Sequence, residues 1–169
     1  MKTNAIALGV IAVATLAYFA FSSPTPKPMP GQQQMGQQGG MSSGVLENLP
    51  NNYDDLVRTG HRYYDDGEYL IAAEIYRRAL DLDGSSTDLR TDYGACLSAV
   101  GLPARALEEF RVVITADPMH AIAHFNMGLV HYNSGSVDSA RFYWQRYLEI
   151  DPSGKASEAA RSYLKETAS

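Results

Sequence analysis

Three histidines, His120, His124 and His131, fall four and then seven residues apart, a spacing that puts imidazoles roughly on one face of a helix and invites a metal. Their companions argue otherwise. No glutamate accompanies them in the manner of a zinc hydrolase, His120 falls in a turn and His131 at a packing position. One surface and one core histidine explain the pattern, and no metal or other cofactor is expected. Cys96 is the sole cysteine, with no Cys or His pattern around it, and reads as a small packed hydrophobe. The paired acids Asp54-Asp55, Asp65-Asp66 and Glu108-Glu109 fall at helix starts, ends or outer faces, where solvation and capping account for them. With no phosphate loop, nucleophile elbow or dinucleotide fingerprint, the chain offers no candidate for catalysis, and an enzyme is not expected. Beyond residue 50 stand 12 basic and 18 acidic side chains, 12 − 18 = −6, a field unsuited to nucleic acid.

The residues that recur are structural ones. Gly60, Gly94 and Gly128 are 34 residues apart, and Gly67, Gly101 and Gly135 keep the same interval. So do Ala72, Ala106 and Ala140, and Asp83, Asp117 and Asp151. Four registers locked to one period define a tandem array, which presents surface to partners more readily than it encloses a cavity. Three units follow, 53–86, 87–120 and 121–154, each of two helices broken at Gly67, Gly101 or Gly135. A glycine inside a helix costs about 1 kcal/mol relative to alanine, so Gly60, Gly94 and Gly128 need a packing reason. The expectation is that each faces the alanine of its second helix, letting the backbones close, while Tyr76, Phe110 and Trp144 fill the space between units.

This Leu/Gly/Tyr, Gly, Ala, aromatic, Ala-Leu, Asp-Pro progression resembles the tetratricopeptide repeat family over residues 53–154. The resemblance implies an all-α fold: a right-handed α-α superhelix of three helix-turn-helix repeats, with a capping helix over 155–167. There are departures. Gly84 stands where the other units have proline, His131 replaces a tyrosine or leucine, and Tyr147 stands where the first unit has Ala79. The bulk of Tyr147 suggests that the third unit meets something different on its far side.

In the resembled family the first helices line a concave groove that receives peptides or partner segments. The implied inward sets are Val57, His61 and Tyr64; Thr91, Ala95 and Ser98; and Phe125, Leu129 and Tyr132. Arg58 and Arg62 flank the first set, Asp88 and Asp92 floor the second, and Asn126 and Asn133 lie beside the third. An extended or helical partner segment with one hydrophobic anchor fits such a groove, with Phe125, Leu129 and Tyr132 as the anchor's wall. The competing expectation is that the C-terminal helix folds over them as core. Some of the family clamps the C-terminal carboxylate of chaperones with lysine, asparagine and arginine. Here Val57, His61 and Asp92 occupy the matching places, so chaperone-tail binding is not expected, save for an unrelated mode using Arg58 and Arg62.

The amino-terminal third has a different character. Residues 5–21 carry no charge, and as a helix they would reach about 25 Å, near the lower limit for a bilayer. An uncleaved single-pass transmembrane anchor (residues 1–22) is expected, with signal cleavage after Ser22 as the alternative. No cysteine follows to take a lipid. Lys2 places the amino terminus in the cytoplasm, so in a bacterium the repeats lie in the periplasm, tethered to the inner membrane. Residues 23–50, with Pro24, Pro26, Pro28 and Pro30 followed by Gln, Gly, Met and Ser, read as a disordered, flexible linker. The whole is expected to be a membrane-anchored adaptor, with the repeat domain over 51–169. Its rivals are a homo-oligomeric scaffold stacking through the Tyr147 face and an accessory factor for envelope biogenesis.

Overall fold

The structure, a computed structural model, describes residues 46–168. Seven helices follow one another there: α1 (Tyr53–Asp65), α2 (Tyr69–Leu82), α3 (Thr87–Ala99), α4 (Pro103–Ala116), α5 (Ala121–Asn133), α6 (Val137–Ile150) and α7 (Ser157–Glu166). Single residues set the starts of the odd-numbered helices of the array. The side chains of Asn52, Ser86 and His120 accept from the third backbone N–H beyond them, at Asp55, Leu89 and Ala123, and so satisfy a donor the helix cannot.

Each of these helices ends in the same way. Gly67, Gly101 and Gly135 adopt φ of 77°, 79° and 78°, the left-handed conformation that glycine reaches without a Cβ penalty. In the first unit the Gly67 N–H donates to the Tyr64 carbonyl and the Glu68 N–H to that of Tyr63, the paired bonds of a Schellman end, and both later units repeat them. The even-numbered helices stop at Asp83, Asp117 and Asp151, the first two with extended backbones. The Asp83 and Asp117 carboxylates then accept the N–H two residues on, from Ser85 and Met119.

Within each period the two helices pack on one another, and α2 packs on α3, α4 on α5 and α6 on α7. The glycine expectation needs correcting here. A Cβ added at Gly60 would stand 2.6 Å from Tyr76 Cδ1, at Gly94 2.5 Å from Phe110 Cε1, and at Gly128 2.5 Å from Trp144 Cδ1. The glycine makes room for the aromatic ring of its own unit, and that ring is fully buried in all three copies. The alanine is buried too, but it is not what the glycine faces.

One buried cluster runs from Leu56 to Val130 through all three units. A second, of Ala140, Trp144, Tyr147 and Ala160, joins α6 to α7. Tyr147 is wholly buried, and its hydroxyl accepts the Ala156 N–H at 3.1 Å. The far-side neighbour its size implied is therefore the chain's own last helix, which corrects the expectation of stacking through that face.

The linker expectation meets the structure only at its end. Leu46 and Leu49 pack against the first cluster, and the Arg78 guanidinium donates to the Leu46 carbonyl at 2.9 Å. Residues 5–21, expected as an anchor, lie outside the described residues. Among the described residues no helix is long and apolar enough to cross a membrane.

Candidate partner-binding groove

The first helix of each unit carries the residues expected to face inward, and the structure treats the three sets differently. On α1, Val57 is half-buried against the core, while Arg58 is exposed and paired with Asp55. His61 leaves 51% of its side chain exposed and places Nε2 3.4 Å from Asp92 Oδ2 on α3, so the first two units meet through this pair. Its ring also stands edge-on to Tyr76, with centroids 5.7 Å apart. The Tyr64 ring meets Tyr69 edge-on at 5.4 Å. Burial first, with Cys96 and Asp92 nearby, pushes the Tyr64 phenol up to about 12.

On α3, Thr91 is only 2% exposed, which removes it from the groove lining. Its hydroxyl donates to the Thr87 carbonyl one turn back, a bond that turns the side chain along the helix. Ala95 and Ser98 stay half-exposed and small. Asp92 is 41% exposed, and burial holds its carboxyl above the usual range, opposed by His61 and reinforced by Asp88. The Cys96 thiol is buried and pushed up by that burial, so it is inert packing.

On α5 the third set is half-covered from the C-terminal side. The Phe125 ring lies 5.4 Å from Tyr147, and Leu129 packs on the same cluster. Tyr132 lies 5.6 Å from both Trp144 and Tyr163, and its hydroxyl donates to Glu166 on α7 at 2.9 Å. Asn126 and Asn133 are half-buried beside them. The last helix thus takes up Tyr132, while Phe125 packs on Tyr147 of α6, and each of the three residues keeps part of its surface, so the competing expectation holds only in part.

The histidines go to separate tasks. His120 caps α5 through Nδ1, which leaves the hydrogen on Nε2, 3.0 Å from Asp88 Oδ1 and 3.4 Å from Thr91 Oγ1. His124 donates from Nε2 to the Pro118 carbonyl at 3.1 Å. His131 stacks on Tyr143 at 5.4 Å with planes 5° apart. Among the described residues no group of three His, Cys, Asp or Glu side chains could hold a metal ion.

Sequence reasoning placed Asp88 and Asp92 on the floor but missed their imidazole partners. The signal was present: His61 precedes Asp92, and Asp88 precedes His120, by slightly less than one period, which brings each pair together between successive units. Tyr76 was read only as packing. Its hydroxyl is buried beside this cluster and has no hydrogen-bond partner among the described residues.

The tetratricopeptide repeat family model matches residues 57–118 and again 97–155. A probable UDP-N-acetylglucosamine–peptide N-acetylglucosaminyltransferase, SPINDLY, from Hordeum vulgare is 30% identical over 105 residues. That match takes in 62% of this chain and only 10% of the relative, so the chain spans about a tenth of its length. Many solved structures share the fold, among them two with a bound peptide. The secretion chaperone SycD of Yersinia enterocolitica, in complex with a peptide of the translocator YopD, superposes with a TM-score of 0.63 at 19% identity, covering 76% of this chain and 95% of that one. The first repeat domain of RPAP3, bound to an HSP90 peptide, gives 0.62 at 20% identity, covering 72% and 98%.

Proposed function

The chain belongs to the tetratricopeptide repeat family, and from that premise we propose that it is a non-catalytic protein-interaction module that docks a partner segment against α1, α3 and α5. The observation that carries the reading is the division of labour between helices. The aromatic ring of each second helix is consumed by its own unit's glycine, whereas His61, Asp92, Ala95 and Ser98 on the first helices keep exposed surface. Structures of the same fold hold peptides of YopD and of HSP90, which supports a peptide as the kind of ligand here. Binding of an acidic chaperone tail is not part of the proposal, because Val57, His61 and Asp92 supply no clamp for a carboxylate.

We also propose that residues 5–21 anchor the module in a membrane, with the repeats on the far side, where it would recruit proteins for envelope assembly. The uncharged run of the sequence supports that part. A reporter fused after Ser169 tests it, and a cytoplasmic signal would reverse the assigned topology.

The groove itself is tested by a photocrosslinking residue placed at Ala95 in one variant and at Phe142, which is 60% exposed, in another. The expected outcome is a discrete adduct from position 95 that position 142 does not give. Adducts from 142 alone would move the binding face off the first helices.

A further inference from the structure

Resting on the groove reading above, we propose that the centre of the groove receives a lysine or arginine side chain of the partner segment, held by Asp92 with Asp88 beside it. The charge balance at this point is one-sided. Among the described residues, Asp92 and Asp88 are met by imidazoles, His61 at 3.4 Å and His120 at 3.0 Å, and by no guanidinium or ammonium group. The two arginines of α1 are engaged elsewhere, Arg58 with Asp55 and Arg62 over the Tyr63 ring at 5.1 Å. Asp65 adds to the negative charge that acts on Tyr64 and Tyr76.

A cluster of acids is not in itself a site, and the second observation is the Tyr76 phenol. The side chain is 0% exposed, its hydroxyl has no hydrogen-bond partner among the described residues, and its ring stands edge-on to His61, the imidazole that pairs with Asp92. A buried hydroxyl without a partner is costly, which marks this spot as incomplete without a further group. The N–H donors of an incoming cation would be accepted by the half-exposed Asp92 carboxylate in the neighbourhood of that phenol. An incoming carboxylate would meet two like charges. Ala95 and Ser98, one and two turns beyond Asp92, are small enough to leave a long side chain room.

The occupant is therefore an extended or helical segment with a basic residue at its centre, the reverse of the acidic tail. Panning a random dodecapeptide phage library against the detergent-solubilised full chain tests this, followed by titration of the enriched peptides. Sequences sharing a lysine or arginine are expected, with affinity falling as salt rises. Asp92→Asn and Asp88→Asn should each weaken them at least tenfold, with helix content unchanged by circular dichroism. Asp88 is 93% exposed, so its variant tests the charge with the fold left intact. Enrichment of acidic or uncharged peptides that still depend on Ala95 would overturn this inference and leave the groove reading standing. Failure to enrich any peptide that depends on Ala95 would overturn both.

Discussion

Gly128→Ala tests how each unit is locked. Alanine would ordinarily stabilise a helix by about 1 kcal/mol over glycine. Here the added methyl would stand 2.5 Å from Trp144 Cδ1 and 2.8 Å from Cε2, whereas carbon atoms rest at about 3.5–4.0 Å. The indole would have to retreat by about 1 Å. It has nowhere to go: Trp144 is fully buried, its ring stacks on Tyr163 at 4.6 Å, and Tyr132 lies at 5.6 Å. Overpacking of this kind costs about 1–3 kcal/mol, and an overlap with several atoms of an immobile ring belongs at the upper end. Less the propensity gain, the net loss is about 1–2 kcal/mol. In urea, with a slope of about 2 kcal/mol per molar, the midpoint of the transition followed by circular dichroism should fall by about 0.5–1 M. Trp144→Phe placed on top should recover part of that loss, because a smaller ring vacates the contested space. A midpoint unchanged or raised by Gly128→Ala, or losses that simply add in the double variant, would refute the proposed contact.

Three further outcomes follow from the packing and the charges. Tyr147→Phe removes the acceptor of the Ala156 N–H and should cost about 1 kcal/mol, seen as faster amide exchange in α7 with α1 and α2 unchanged. The Arg77 hydrogen bond, then that of Arg78, holds the Glu74 carboxyl below its usual range, so its stabilisation is present above the unfolded value and lost as pH falls through the folded one. Glu74→Gln should therefore flatten the acid side of a plot of melting temperature against pH. Asp92 has the opposite sign: its raised carboxyl favours folding only below the unfolded value and loses that contribution as pH rises through the folded one, so Asp92→Asn should melt higher than wild type near neutral pH even as it weakens peptide binding.

The helix breaks were legible in the sequence because their cause is local. Only glycine takes a φ of 77–79° freely, so Gly67, Gly101 and Gly135 announce a turn whatever surrounds them. The interior glycines announced a close approach but not its partner, since a period gives spacing along the chain and not which side chain crosses a neighbouring helix. Tyr147 declared by its size that something lay beyond the third unit, and α7 occupies that place, beginning at Ser157 rather than Lys155. Among the groove residues the common register gave Val57, Thr91 and Phe125 one inward position, in sets of different character. The structure gives them three surroundings, because a hydroxyl that can bond its own helix, an aliphatic residue on a core and a ring against Tyr147 of α6 answer to different neighbours. The imidazole partners of Asp88 and Asp92 were hidden for a related reason: they pair across units, where a slightly shortened period looks like noise.

The nesting of Tyr76 on Gly60, Phe110 on Gly94 and Trp144 on Gly128 also bears on how such a chain can grow. Both halves of the lock lie within one stretch of coding sequence, so a tandem duplication copies the recess together with the ring that fills it. A new copy would arrive with its internal fit already solved, and selection would have only the seams between copies left to adjust. The three different rings against one unchanged recess show how much drift that inheritance tolerates after the copying.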